Sequence, residues 1–277
     1  TVIMKKTTRL AAWLLGALLS SLPGTSFAQS KSAYNFKNVD WTRMVEVFHS
    51  ALAKGKNYPD ESELLALGIT KADLAFIKSH VKCRETIADG KQLLPDTYQG
   101  RKMWMNTPMG SGSGGDAGYP SNQFHSDVFS LWNYVSLWGS WNHAIVQTPG
   151  SWVDAAHKNG CDMMSGTVFF DRSGDVGYTQ WMNMVRAVND RSSVGFNGFK
   201  YVKPLIHMMR YFGMDGININ WEWSTPVSAA NFHKALYKYA HSIGFNNFHL
   251  GLYTTNSFLT DDNCEYLYSQ KDGQVAD

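Results

Sequence analysis

The chain has 277 residues, a formal charge of +2 and an aromatic content of 14 %, with 10 Trp and 13 Tyr. That length suits one (β/α)8 barrel or two small domains, and a charge so near balance excludes a partner held by a basic surplus, nucleic acid above all. The 3 cysteines, Cys83, Cys161 and Cys264, are too sparse for a disulfide framework or a zinc site, so buried free thiols are expected, with no metal or other cofactor.

In chain order, Met4-Lys5-Lys6-Thr7-Thr8-Arg9 is a positive stretch, Leu10 to Leu22 is apolar, and Ser26-Phe27-Ala28 before Gln29 offers a small-x-small cleavage site. Together they read as a secretory signal peptide over residues 1–28, with Thr1-Val2-Ile3 as upstream translation. The apolar run is too short to span a membrane. An exported protein, periplasmic or extracellular and free of the membrane after cleavage, is the expectation. Taking away Lys5, Lys6 and Arg9 turns the formal charge of +2 into −1.

Residues 29–99 carry helical patterns and form a small N-terminal segment. Asp40-Trp41 opens a run of Met44, Val45, Val47, Phe48 and Leu52, and Thr70-Lys71-Ala72-Asp73 resembles a capping box ahead of Leu74, Phe76 and Ile77.

From residue 100 to 277, strands alternate with helices, the mark of βαβ units and a parallel sheet. The predicted strands are Arg101–Asn106, Leu131–Trp138, Cys161–Phe170, the stretch beginning at Gly213, and Phe248–Tyr253. Helices are expected at Trp152–Asn159 with Gly160 as cap, around Val202–Met209, and at Ala229–Ile243. The glycine-rich Met109–Gly115 lacks the Lys of a phosphate loop and reads as a loop beside a cleft. Five strands and then Asp277 give the fold expected: a (β/α)8 TIM barrel truncated after its fifth strand. In such barrels the chemistry sits at the C-terminal strand ends, where Asn142, His143, Asp171, Asn220, Glu222 and Tyr253 all fall.

The stretch Asp215-Gly216-Ile217-Asn218-Ile219-Asn220-Trp221-Glu222 alternates strictly. Ile217, Ile219 and Trp221 share one face of a strand; Asn218, Asn220 and Glu222 share the other. Polar side chains on an inner face are unfavourable unless they bond one another or a ligand. Asn220 and Glu222 emerge roughly 6.6 Å apart, a span that suits a sugar ring, and the abundant aromatics offer faces for its apolar side. A carboxylic acid there is a candidate general acid for glycoside cleavage. Its neighbour, an amide, cannot serve as the second carboxylate that ordinary retaining enzymes need. The nucleophile then lies elsewhere or is the substrate's own 2-acetamido oxygen, which an amide at 220 would orient.

The pattern D-G-x-x-I-N-x-E at Asp215–Glu222 resembles that of family-85 endo-β-N-acetylglucosaminidases. So do Trp141-Asn142-His143, the run Trp152-x-x-Ala155-Ala156-His157-Lys158-Asn159-Gly160, Ser165-Gly166-Thr167 with Asp171, and Tyr253. The resemblance implies cleavage of the N,N′-diacetylchitobiose core of N-glycans by a substrate-assisted retaining route, Glu222 being the acid/base and Asn220 the acetamido-orienting residue. With Asn218 and Trp223 of the same stretch, Trp141, Asn142, His143, Asp171 and Tyr253 are the expected contacts to an N-glycan or another GlcNAc-containing oligosaccharide. Asn142 stands where the family tends to have Ser, Asp171 where it has Glu, and Thr254 where Asp usually follows the Tyr. Two alternatives remain: a family-18-type chitinase or endoglycosidase, in whose D-G-x-D-x-D-x-E strand Asn218 and Asn220 would replace both acids, and a non-catalytic glycan-binding barrel.

Overall fold

Five parallel strands carry the fold, and they pair in the order in which the chain makes them, β1-β2-β3-β4-β5. They are β1 (Trp104–Thr107), β2 (Leu137–Ser140), β3 (Asp162–Phe170), β4 (Gly216–Trp221) and β5 (His249–Tyr253). The computed structural model describes residues 40–81, 103–107, 132–140, 145–146, 148–170, 174–186, 196–221 and 227–253. A doubly wound sheet reverses its strand order midway; each strand here pairs with the next, as in a (β/α) barrel.

The sheet is strongly curled. In a flat sheet β1 and β4 lie three strand spacings apart, about 14 Å. Yet Asn218 of β4 donates from Nδ2 to Asn106 Oδ1 of β1 at 3.2 Å. Only a sheet bent toward closure brings those side chains together. On the concave face Asn106 pairs with Gly139, and Asn218 with both Thr167 and Gly251; the Asn218–Asn106 bond joins the two sets.

The convex face packs on helices. The helices among the described residues are α1 (Trp41–Ala53), α2 (Glu61–Leu65), α3 (Lys71–Ile77), α4 (Gly150–Lys158), α5 (Val176–Met184), α6 (Val202–Phe212) and α7 (Val227–Ser242). Ile217, Ile219 and Trp221 join one apolar cluster with Leu205, Met209 and Phe212 of α6 and Phe232 and Leu236 of α7. Fully burying a side chain of that size contributes about 1.5–3 kcal/mol. A smaller cluster holds Trp138 against Val153 and Ala156 of α4. α1 docks on α6 through Phe48, whose ring lies 5.5 Å from that of Tyr211 and 6.4 Å from that of Phe212. None of the described helices is long and apolar enough to cross a membrane.

Local signals act as their chemistry dictates. Thr70 Oγ1 accepts from Asp73 N at 3.1 Å while Asp73 accepts from Thr70 N at 2.9 Å, the reciprocal capping box. Asp40 accepts from Thr42 N at 2.9 Å and so caps α1. Gly160 ends α4 with φ +71°, a left-handed conformation suited to glycine.

The second strand departs from expectation. Trp132–Tyr134 is a 3-10 turn, closed by Val135 N donating to Trp132 O at 3.2 Å, and β2 starts only at Leu137. The aromatic and β-branched run favours a strand by propensity, but pairing with β1 begins at Leu137. β1 likewise begins at Trp104 rather than at Arg101, Met103 lying before it and residues 101–102 outside the described residues. Of the cysteines, Cys161 is buried and free; Cys83 and Cys264 lie outside the described residues.

Candidate functional site

β4 organises the site because its two faces meet different surroundings. All six of its residues are buried. The apolar set faces the helices, which leaves Gly216, Asn218 and Asn220 on the concave side. Asn220 pairs in register with Phe169 of β3 and Tyr253 of β5. Tyr253, 47 % exposed, marks the level where the concave face opens to solvent at the C-terminal strand ends. Asn220 and Tyr253 therefore stand one strand spacing apart at that mouth, about 4.8 Å between backbones.

One level deeper, Asn218 is fully buried and donates from Nδ2 to Asn106 Oδ1 at 3.2 Å and to Thr167 Oγ1 at 3.1 Å. Thr167 reaches the concave face through a bulge. Met164 pairs with Gly216 but Thr167 with Asn218, so β3 holds one residue more than β4 between them. Without that extra residue, alternation would turn Thr167 outward. Of the residues the sequence nominates, the structure thus brings together Asn218, Asn220 and Tyr253. Trp141, Asn142, His143, Asp171, Glu222 and Trp223 lie outside the described residues. Asn106 and Thr167 were not nominated: the first had no visible partner in its own segment, and the second faces inward only through the bulge.

The start of the same motif does different work. Asp215 Oδ2 accepts from Met163 N at 2.8 Å and bonds His157 Nε2 at 2.7 Å, and its Oδ1 accepts from Asn247 Nδ2 at 3.1 Å. His157 Nδ1 bonds the Val81 carbonyl at 2.5 Å. A carbonyl cannot donate, so Nδ1 carries a proton. Nε2 then also carries one if Asp215 is ionised, and the donors around Asp215 favour that ionised state. Burial, the largest influence, pulls the His157 pKa down, but the bond and charge of Asp215 outweigh it and hold the ring above its ordinary value. Burial pushes the Asp215 carboxyl up against the opposing pull of His157. Beside this pair, Asn247 also donates to Asp162 Oδ1 at 3.1 Å, and His249 Nε2 bonds Asp162 Oδ2 at 2.7 Å. These groups gather at the N-terminal strand ends, the face that serves stability rather than chemistry in such barrels. The Asp-Gly entry of the motif is thus scaffolding, while Asn220 lies level with Tyr253 at the mouth.

A family model described as glycosyl hydrolase family 85 matches residues 113–261, more than half of the chain. The match takes in β2 to β5 and the whole of Asp215–Glu222. A search of curated proteins returned no match.

Proposed function

The chain belongs to glycosyl hydrolase family 85 and is a glycoside hydrolase of the endo-β-N-acetylglucosaminidase kind; from that premise we propose that it cleaves the N,N′-diacetylchitobiose core of N-glycans by substrate assistance. In the first step the 2-acetamido oxygen attacks C1 and the bond from C1 to the leaving oxygen breaks. The Glu222 carboxylic acid gives its proton to that leaving oxygen. Asn220 holds the acetamido group and stabilises the charge that develops on it as an oxazolinium ion forms, the N–H proton staying on nitrogen. Water then adds to C1, Glu222 takes its proton, and the ring opens to restore the acetamide with the original anomeric configuration.

The observation that carries this reading is the position of Asn220. It is a fully buried amide on the concave face, level with Tyr253 at the mouth, on a strand whose other face is sealed by helices. An amide there suits acetamido binding and could not itself be the nucleophile. The alternation of the sequence assigns Glu222 to the same face as Asn220. In this reading Trp141, Asn142, His143, Asp171 and Trp223 surround the sugar. Residues 1–28 act as an export leader, so the secreted protein should begin at Gln29, as N-terminal mass analysis would show.

The deciding experiment compares glycan release from a high-mannose glycoprotein by the wild type, Glu222→Gln and Asn220→Ala. Glu222→Gln should lose release, and Asn220→Ala should lose release yet still transfer from a preformed oxazoline donor. A folded Asn220→Ala variant that fails with both donors contradicts the role given to Asn220. Release undiminished in Glu222→Gln contradicts the whole mechanism.

A further inference from the structure

Beneath Asn220 and Tyr253 the concave face is covered by one aromatic side chain from the far edge of the sheet. Trp104 of β1 lays its indole between two glycines on other strands. A Cβ added at Gly251 of β5 would lie 2.7 Å from Trp104 Cη2 and 2.8 Å from Cζ2. One added at Gly139 of β2 would lie 2.9 Å from Trp104 Nε1 and 3.1 Å from both Asn106 Oδ1 and Asn218 Nδ2. Real Cβ atoms do not approach so closely, so both positions need glycine for the ring to sit there. The Trp104 Nε1 donor is buried and has no hydrogen-bond partner among the described residues. Leaving such a donor unmet is unfavourable, which makes its placement a feature to explain. In register, Gly251 pairs with Asn218, one inward level below the pair of Asn220 and Tyr253, about 6.6 Å along the strands. The indole is the floor under the mouth.

Substrate assistance fixes what would face that floor. The acid protonates the leaving oxygen, and that oxygen carries the bulky remainder of the substrate, which must stay outside. The acetamido oxygen attacks C1 from the opposite face of the ring. Its acyl group therefore points down into the barrel, past Asn220. We propose that Trp104, seated between Gly139 and Gly251, is the specificity-determining floor of the sugar pocket, receiving the methyl of a 2-acetamido group and rejecting longer N-acyl groups. This rests on the substrate-assisted reading above and adds a size limit set by residues outside the Asp215–Glu222 motif.

The test uses the full chain and two matched N-glycan substrates, one with the natural 2-acetamido group at the cleaved sugar and one with a 2-butanamido group. Each added methylene in a tight pocket changes kcat/KM by roughly tenfold to two-hundredfold. The wild type should therefore prefer acetamido by about a hundredfold or more. Trp104→Leu should cut that preference at least tenfold by raising turnover of the butanamido substrate. Gly251→Ala, which pushes the indole toward the mouth, should lower turnover of both. Should Trp104→Leu fail to fold, Trp104→Phe replaces it, with a smaller shift in the same direction. An active wild type that takes both substrates equally, or a folded Trp104 variant with an unchanged preference, overturns the proposal and leaves the catalytic reading standing. A wild type that releases no glycan from either substrate sinks the catalytic reading, and this one with it.

Discussion

His233 gives a quantitative check on how β4 is supported from behind. It lies on α7, fully buried, with its ring 5.8 Å from Trp181, 6.1 Å from Trp221 and 6.4 Å from Phe232. Neither ring nitrogen has a hydrogen-bond partner among the described residues. Burial alone drives its pKa down to about 3. The unfolded chain binds a proton at this side chain near pH 6.5, whereas the folded protein resists it until far lower pH. Stability is then present above the unfolded pKa and lost as pH falls, by up to about 1.4 kcal/mol per pH unit. Between pH 6.5 and 4.5 the loss from this one residue integrates to about 2 kcal/mol. His233→Leu removes the titration at similar volume, and near pH 7 its stability should stay within about 1 kcal/mol of the wild type, since two unmet nitrogens go with the ring. Urea unfolding followed by tryptophan fluorescence at both pH values gives the difference directly. Other groups titrate in both proteins and cancel. The wild type should lose about 2 kcal/mol more than the variant over that interval. Parallel losses would refute the claim that His233 is held neutral in the core behind the site.

The His157–Asp215 pair has the opposite sign. His157 is held above its ordinary value, so its contribution is full below the unfolded pKa and fades as pH rises through the raised one; His157→Gln should flatten that alkaline decline in a pH series of melting curves. Asp215→Asn leaves an imidazole and a backbone donor poorly met in a buried site and should cost about 3 kcal/mol or more by urea unfolding. Gly216→Ala would place a methyl 2.2 Å from the His249 carbonyl, so β4 and β5 must separate; a loss of at least about 1–3 kcal/mol in denaturant is expected. Asn218→Leu should cost about 1–3 kcal/mol because it strips partners from Asn106 and Thr167, and a neutral result would show that this polar level does not brace the floor.

What the sequence could reveal about this site follows from the range of each signal. Alternation is local, so Ile217, Ile219 and Trp221 could be assigned to the helix side and Asn218 and Asn220 to the other without knowing any neighbour. The left-handed Gly160 and the Thr70–Asp73 box were legible for the same reason, since each is complete within a few residues. Contacts made by curling are not. Asn218 meets Asn106 across 112 positions of chain, and His157 meets Asp215 across 58. Nothing in either segment alone names its partner. Thr167 is a subtler case, because simple alternation along β3 from Met164 assigns it to the wrong face, and only the extra residue in the ladder corrects it. The run from Trp132 to Tyr134 shows the converse: its residues favour a strand, yet it forms a 3-10 turn and the ladder with β1 starts only at Leu137. The pattern of faces was therefore readable wherever one strand decides it. The floor formed by Trp104, Gly139 and Gly251 draws on three strands at once, so it becomes visible only when curvature brings a side chain of β1 to β5.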